Sequence, residues 1–440
     1  MYDPLNDSTL PAKASRVGYW TSHSVEWPTP AEQLPKKTDV LVIGGGYTGL
    51  NAAIESREQG RAVTVIDAES LAWGCSTRNA GFVMKSTGRL GLKHWYDTLG
   101  PQGAKAMAAE HQAALERIRT QVQHCPDQCD ARDGGYIKLA HNPGAVKALK
   151  EQYDFLRSIE QPVSWLTQRD VADKLNTAHG FAGLKFDDCF AINPIKLAAS
   201  VARQAQKAGA TLVEQCTATA MTQVDGGWQV QTSQGVIVAH SVLFATNAYT
   251  TQRLFPKLAR RNLPVVSSII VTPPLTQAQL DATRLSDHYA YMDTRVLKYY
   301  FRLLPDNRLL FGGRGAIRGA DADDPRYAKR LLAALHASFP ALQGISQWEH
   351  FWSGWVSVSL DDYPRVMSLD KNVYASMGYC GAGVSFSSLA GKRLAEKACN
   401  IALPDLPYYQ SELKPFPFAG FRRLGQWAFY HYGRMKDKWG

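Results

Sequence analysis

The chain of 440 residues is 45% hydrophobic and 20% charged, proportions of a soluble globular protein with room for roughly two or three domains. Its formal net charge of +10 suits nucleic acid, acidic lipid or small anions, but no uninterrupted basic run occurs, which makes nucleic acid the weaker partner. No apolar run of about 18 residues predicts a membrane-spanning helix, and the polar stretch 1–35 has neither the basic nor the apolar region of a secretion signal, so a cytoplasmic location is expected.

Residues 39–43 read as a short buried parallel strand, and Gly44-Gly45-Gly46-Tyr47-Thr48-Gly49 follows at once. Residues 50–59 read as a helix closed by Gly60, and 62–66 as a second buried strand ending on Asp67. Together they form a βαβ unit. Gly44 permits the tight turn, Gly46 lets the backbone approach a pyrophosphate, and Gly49 lets helix and strand pack closely. The helix N-terminus offers N–H groups and partial positive charge to the phosphates. Asp67 stands where a ribose hydroxyl acceptor is expected, which disfavours a 2′-phosphate. The unit predicts a bound dinucleotide and leaves FAD and NAD open.

Further along, the small residues of 74–81 suit a backbone passing along a long flat cofactor. Residues 99–159 are helical in pattern, with a break at 133–137. His124, Cys125 and Cys129 lie together without a fourth ligand, so no metal is expected. The seven cysteines are odd in number and lack a CxxC pair; reduced thiols are expected. A helix at 194–208 precedes short strands at 217–224, 228–232, 236–239 and 241–245. Strands at 299–303 and 309–311 flank a turn, and 327–338 is helical. A strand at 373–377 runs through Gly378–Gly383 into a helix at 384–401, whose N-terminus could stabilise negative charge on a neighbouring ligand. The basic, aromatic tail 421–440 is expected as a helix packed on the body with its charged side solvated; the alternative is a helix lying on a membrane surface.

These pieces together resemble the D-amino-acid oxidase superfamily of flavoenzymes, and within it the γ-glutamylputrescine oxidoreductase branch. The matching stretches are Tyr19-Trp20, "DVLVIGGGYTGLNAAI" at 39–54, "GCSTRNAGF" at 74–82, "GGYIKLA" at 134–140 and "ATNAYT" at 245–250. "YYFRLLPDNRLLFGG" at 299–313, "WVSVSLDDYPRV" at 355–366 and "GYCGAGVSFSSLAGKRLAE" at 378–396 complete them. The resemblance implies an α/β fold: a Rossmann-like FAD-binding domain of the glutathione-reductase type, and an α+β substrate domain with a mainly antiparallel sheet. The expected cofactor domain is discontinuous, from 36–100, 175–260 and 350–400; 101–174 and 261–349 form the substrate domain, between an arm at 1–35 and a tail at 401–440.

The same resemblance implies non-covalent FAD and oxidation of a C–N bond in a small amine or amino acid. Hydride passes to flavin N5, water hydrolyses the imine, and oxygen takes the electrons to give hydrogen peroxide. By motif, Gly44, Gly46, Tyr47, Thr48, Gly49, Asp67 and Ala68 hold the ADP half. Ser76, Thr77, Arg78, Asn79, Ala80 and Gly81 lie along the ribityl and pyrophosphate region, with Thr246 and Asn247 beside it. Gly381, Ala382, Gly383 and Val384 lie at the pyrimidine edge. Tyr300, Arg302 and Trp355 are the expected catalytic or substrate residues, with Tyr299 and Trp352 as further candidates. Arg302 suits a carboxylate clamp. Two departures stand out, Ala382 in place of the family's usual histidine and Cys380 where Ser or Asn is common, and Leu310 falls where a related branch has its oxygen-activating lysine. They open the alternative of a dehydrogenase passing electrons to a quinone or other acceptor. A flavin module that modifies tRNA is a third reading.

Overall fold

The computed structural model describes residues 1–6, 16–86, 88–251 and 254–439. The run Val40-Leu41-Val42-Ile43 is buried on both faces and forms the inner half of β1 (Lys37–Ile43), as strands covered on both sides require. The glycine loop leads from β1 into α1 (Tyr47–Glu58) and back into β2 (Val63–Ile66). β1 pairs in parallel with β2 on one side and with β3 (Gly235–Phe244) on the other. Thr211–Val213 extends the sheet beyond β2, and Val373–Met377 and Arg365–Asp370 extend it beyond β3. The two strands expected at 236–239 and 241–245 are one: His240 takes the exposed side of the alternation, and the pairing with β1 resumes at Ser241.

The second sheet contains β4 (Leu263–Val271), β5 (Tyr300–Leu303), β6 (Leu309–Arg314) and β7 (His350–Val358), in the order β7-β4-β6-β5. It continues through 290–293, 136–139, 183–186 and 163–166, antiparallel except where 290–293 meets 136–139. The architecture is thus a Rossmann-like α/β layer beside a mainly antiparallel α+β layer. β7 and 183–186 fall in segments that the sequence places with the cofactor domain. Their hydrogen bonds put them in the antiparallel sheet instead, β7 along its whole length against β4.

α2 (Gly383–Ala398) crosses α1 so closely that a Cβ on Gly391 would come within 2.2 Å of the Thr48 carbonyl oxygen. The long helix Leu92–Gln123 contains a break at Gly100-Pro101. After it, the turn around Pro126 brings Cys125 and Cys129 to a Cα separation of 5.7 Å and a disulfide joins them. This corrects the expectation of reduced thiols throughout: the local turn, which residue spacing does not encode, closes the pair. No group of three or more metal-ligating side chains occurs among the described residues. The chain closes with α3 (Arg422–Trp439), and no described helix is long and apolar enough to cross a membrane.

Candidate active site

A continuous cavity of about 480 Å³ runs from the end of β2 to the face of the antiparallel sheet. Its first part is the glycine loop. Gly44 has a φ of +107°, and a Cβ there would meet the Ala245 carbonyl at 2.8 Å. A Cβ on Gly49 would lie 1.9 Å from the Gly44 carbonyl oxygen, so only glycine lets α1 sit this close to the loop. Gly46 has no side chain over the helix N-terminus, and the Tyr47 N–H donates to the Ser76 hydroxyl at 3.0 Å. At the end of β2, the Asp67 carboxylate accepts from the N–H groups of Gly45 at 2.7 Å and Glu69 at 3.0 Å. Burial nevertheless raises its pKa to about 7, with the nearby carboxylates of Glu214 and Glu69 adding to the rise.

Gly44, Gly46, Tyr47, Thr48, Asp67 and Ala68 all line this part of the cavity. Ser76, Arg78, Asn79 and Ala80 line its middle, with Thr246 and Asn247 opposite. Three motif residues act from behind the wall. Gly49 sets helix packing, the Thr77 hydroxyl donates to the Ala72 carbonyl, and Gly81, at a φ of +77°, fits under the Ile192 carbonyl. Arg78 is itself a brace: Nε donates to the Trp73 carbonyl and Nη1 to the Ser353 carbonyl of β7, which ties this segment to the antiparallel sheet. Gly381, Ala382, Gly383 and Val384 line the far side at the start of α2. Cys380 faces Ser359 and the Gly378 carbonyl, and burial pushes its thiol up to about 11, the state of an inert thiol.

The antiparallel sheet supplies the floor. Lys138, Met292, Tyr300, Gly312 and Ile269 are paired in register across five strands and form one rung; cross-strand partners share a face. Gly312 leaves room for the Tyr300 ring, which a Cβ would overlap at 2.2 Å, and the Tyr300 hydroxyl meets Ser267 Oγ at 2.9 Å. Burial raises the Tyr300 hydroxyl to about 12. Arg302 lies one rung deeper on the same face. There its guanidinium donates to the Ile192 carbonyl at 2.7 Å and rests 5.2 Å from the Trp20 ring, and it does not line the cavity. Trp355 is among the residues lining the cavity; its indole packs in a cluster with Ala248 and Val266 and donates to the Tyr2 carbonyl at 2.6 Å. Trp352 Nε1 donates to the Arg78 carbonyl. Tyr299 packs on the opposite face against Phe311, and Leu310 is fully buried outside the cavity.

No sequence motif marks the charges on this floor. Lys138, Lys298 and Arg314 line the cavity, and Arg89 joins them. Lys138 donates to Gln152 at 2.8 Å, and Arg89 pairs with Asp362 at 3.4 Å. Burial first, then Lys138, Arg314 and Arg89, lower the Lys298 ammonium to about 8. Burial also lowers Lys138. Arg314 ends the very strand that the 299–313 motif identifies; the other cations come from segments with no motif of their own.

The family model of FAD-dependent oxidoreductases called DAO matches residues 39–397. The chain belongs to this family. A γ-glutamylputrescine oxidoreductase of Escherichia coli (strain K12) is 31% identical over 395 residues, covering 88% of this chain and 89% of its own. A glycine oxidase of Geobacillus kaustophilus is 23% identical over 369 residues, or 81% of this chain and 92% of that one. The crystal structure of glycine oxidase from that genus and species superposes with a TM-score of 0.70 over 86% of this chain and all of its own, at 20% identity. That of L-proline dehydrogenase from P. horikoshii gives 0.66 over 85% and 96%, at 18% identity, and shares the fold. The DAO protein described here is therefore an FAD-dependent amine or amino-acid oxidoreductase. Its cavity fits that cofactor: the loop has no Cβ over the helix N-terminus, an acid closes β2, and Ser387 Oγ and Asn247 Oδ1 lie buried at the lining without a partner among the described residues.

Proposed function

We propose that this enzyme oxidises the C–N bond of a small amine whose other end carries a carboxylate, γ-glutamylputrescine or a compound like it, and that oxygen is the final acceptor. One observation carries the reading: Lys138, Lys298 and Arg314 line one chamber, and none forms an ion pair with a carboxylate among the described residues. Three unpaired cations in a partly dry chamber are costly unless an anion joins them. A carboxylate would be that anion, whereas a free diamine would add like charge.

The same charges aid the chemistry. A substrate ammonium with a pKa of about 10.4 must lose its proton before oxidation. Neighbouring cations disfavour the charged form, so the chamber that holds the carboxylate also favours the free amine. Ile269, Met292, Phe82 and Val356 supply an apolar wall that excludes water, and Tyr300, fixed over Gly312 by Ser267, positions the amine end. FAD, when bound, supplies the two-electron oxidation. Leu310 and Ala382 favour a second reading, a dehydrogenase, since neither offers a charge or an imidazole to assist oxygen.

Anaerobic titration tests the proposal. Addition of γ-glutamylputrescine should bleach the visible flavin bands, putrescine at equal concentration should leave them in place, and admitted air should restore them with release of hydrogen peroxide. Bleaching by putrescine alone would sink the carboxylate reading. Bands that stay bleached in air but return with a quinone would replace the oxidase by the dehydrogenase.

A further inference from the structure

We infer that the outward face of α3 docks the enzyme onto an anionic lipid surface. Phe421, in the single turn Ala419–Phe421 that precedes α3, and Leu424, Tyr432 and Met435 on the helix recur at helical spacing and share one side. They are 67, 60, 51 and 59% exposed, and Phe418, at the turn that opens the helix, is 85% exposed. Trp427, on the flank of the stripe, is 49% exposed.

The other side of α3 is the one packed on the body. Arg422 donates to the Asn262 carbonyl at 2.6 Å, Tyr430 and Gln426 are buried and bonded to each other, and Asp437 accepts from the N–H groups of Val296 and Leu297. A surface helix ordinarily buries its apolar stripe and shows its charges. Here Arg434 and Lys436 are solvated as expected of the charged side, but the apolar stripe faces outward with them. An exposed run of aromatic and aliphatic groups of this kind marks a contact surface.

The charges decide the occupant. Asp437 is the only acid on α3, and it is turned inward onto the backbone. Arg434 and Lys436 are exposed beside the stripe, and the whole chain carries +10. A second copy of this helix would bring like charges together. Anionic headgroups match the cations while the acyl boundary takes the apolar stripe, the composition of a helix that lies in the membrane plane. Trp427 suits the headgroup level, with an apolar ring and one polar N–H.

Co-sedimentation of the full-length, flavin-loaded protein with phosphatidylglycerol-containing vesicles and with pure phosphatidylcholine vesicles tests this. Partition onto the anionic vesicles should exceed that onto neutral ones by about tenfold or more and fall with added salt. Leu424→Asp and Met435→Asp should each lower it by about tenfold, with melting temperature and flavin absorbance unchanged. The pair Arg434→Glu and Lys436→Glu should lower partition on anionic vesicles alone, which keeps the test informative if an apolar variant folds poorly. No partition onto either vesicle would overturn the proposal. So would a concentration-dependent dimer that Met435→Asp dissolves, because the face would then join two copies of the chain.

Discussion

Replacing Lys298 by methionine separates a stability cost from a binding role. In the folded chain the Lys298 ammonium sits at about 8, below the 10.5 of an unperturbed lysine. At about 1.4 kcal/mol per pH unit, holding that charge costs roughly 3–4 kcal/mol of folding free energy. Because the folded value is the lower one, the cost is complete below pH 8 and vanishes as the pH rises to that of the unfolded lysine. Lys298→Met should therefore melt at a higher temperature than the parent at pH 7, with the two curves meeting near pH 10.5. The substitution also removes a hydrogen bond from a charged donor to the substrate carboxylate, worth about 1.5–3 kcal/mol, so KM should rise about 10- to 150-fold. Lys298→Arg should recover most of the affinity and hold it above pH 8, where the parent loses its charge. Differential scanning fluorimetry reads the first effect and anaerobic flavin bleaching against substrate concentration the second. A variant that melts higher yet keeps the parental KM would refute the reasoning, since the charge would then not reach the substrate.

Gly49→Ala, whose Cβ would overlap the Gly44 carbonyl at 1.9 Å, should displace α1 and strip the protein of flavin, read as the ratio of visible to ultraviolet absorbance; full flavin content would contradict the packing account. Asp67 titrates near pH 7 in the flavin-free protein, so FAD uptake should tighten as the pH rises from about 6 to 8 while the carboxylate ionises, and Asp67→Asn should flatten that dependence in a fluorescence-quenching titration. Tyr300→Phe should keep the ring over Gly312 and lose only the Ser267 bond, lowering unfolding free energy by about 1 kcal/mol in a denaturant titration and leaving KM within about twofold. Arg302→Met should leave KM for carboxylated substrates without a selective rise, read by the same anaerobic titration; a selective rise would make Arg302 a substrate clamp after all.

The cofactor half of the molecule is legible in the sequence because its signals are local. Strand, glycine loop, helix, second strand and closing acid all fall within one short stretch, and each piece has one conformation that suits it. The substrate half is legible only in part. Strand alternation correctly puts Tyr300 and Arg302 on one face, but register decides which rung meets open space, and register is a property of five strands at once. The deeper rung is filled by Trp20 and the Ile192 carbonyl, which absorb Arg302. Lys138, Lys298 and Arg314 converge from segments far apart in the chain, so no window contains their pattern. The outward stripe of α3 is periodic in the sequence, yet periodicity alone does not say which side of a helix meets the body.

The Asp437 carboxylate, which holds the Val296 and Leu297 N–H groups at 2.7 and 3.0 Å, gives the last turn of α3 a place beside the chamber. The loop it fastens carries Lys298 into the cavity. A carboxy-terminal tag that pulls α3 away, or a chain cut short before Asp437, would therefore act as an active-site change, loosening the wall that presents the ammonium. Two preparations of this enzyme differing only in their last few residues would report different affinities for the same amine.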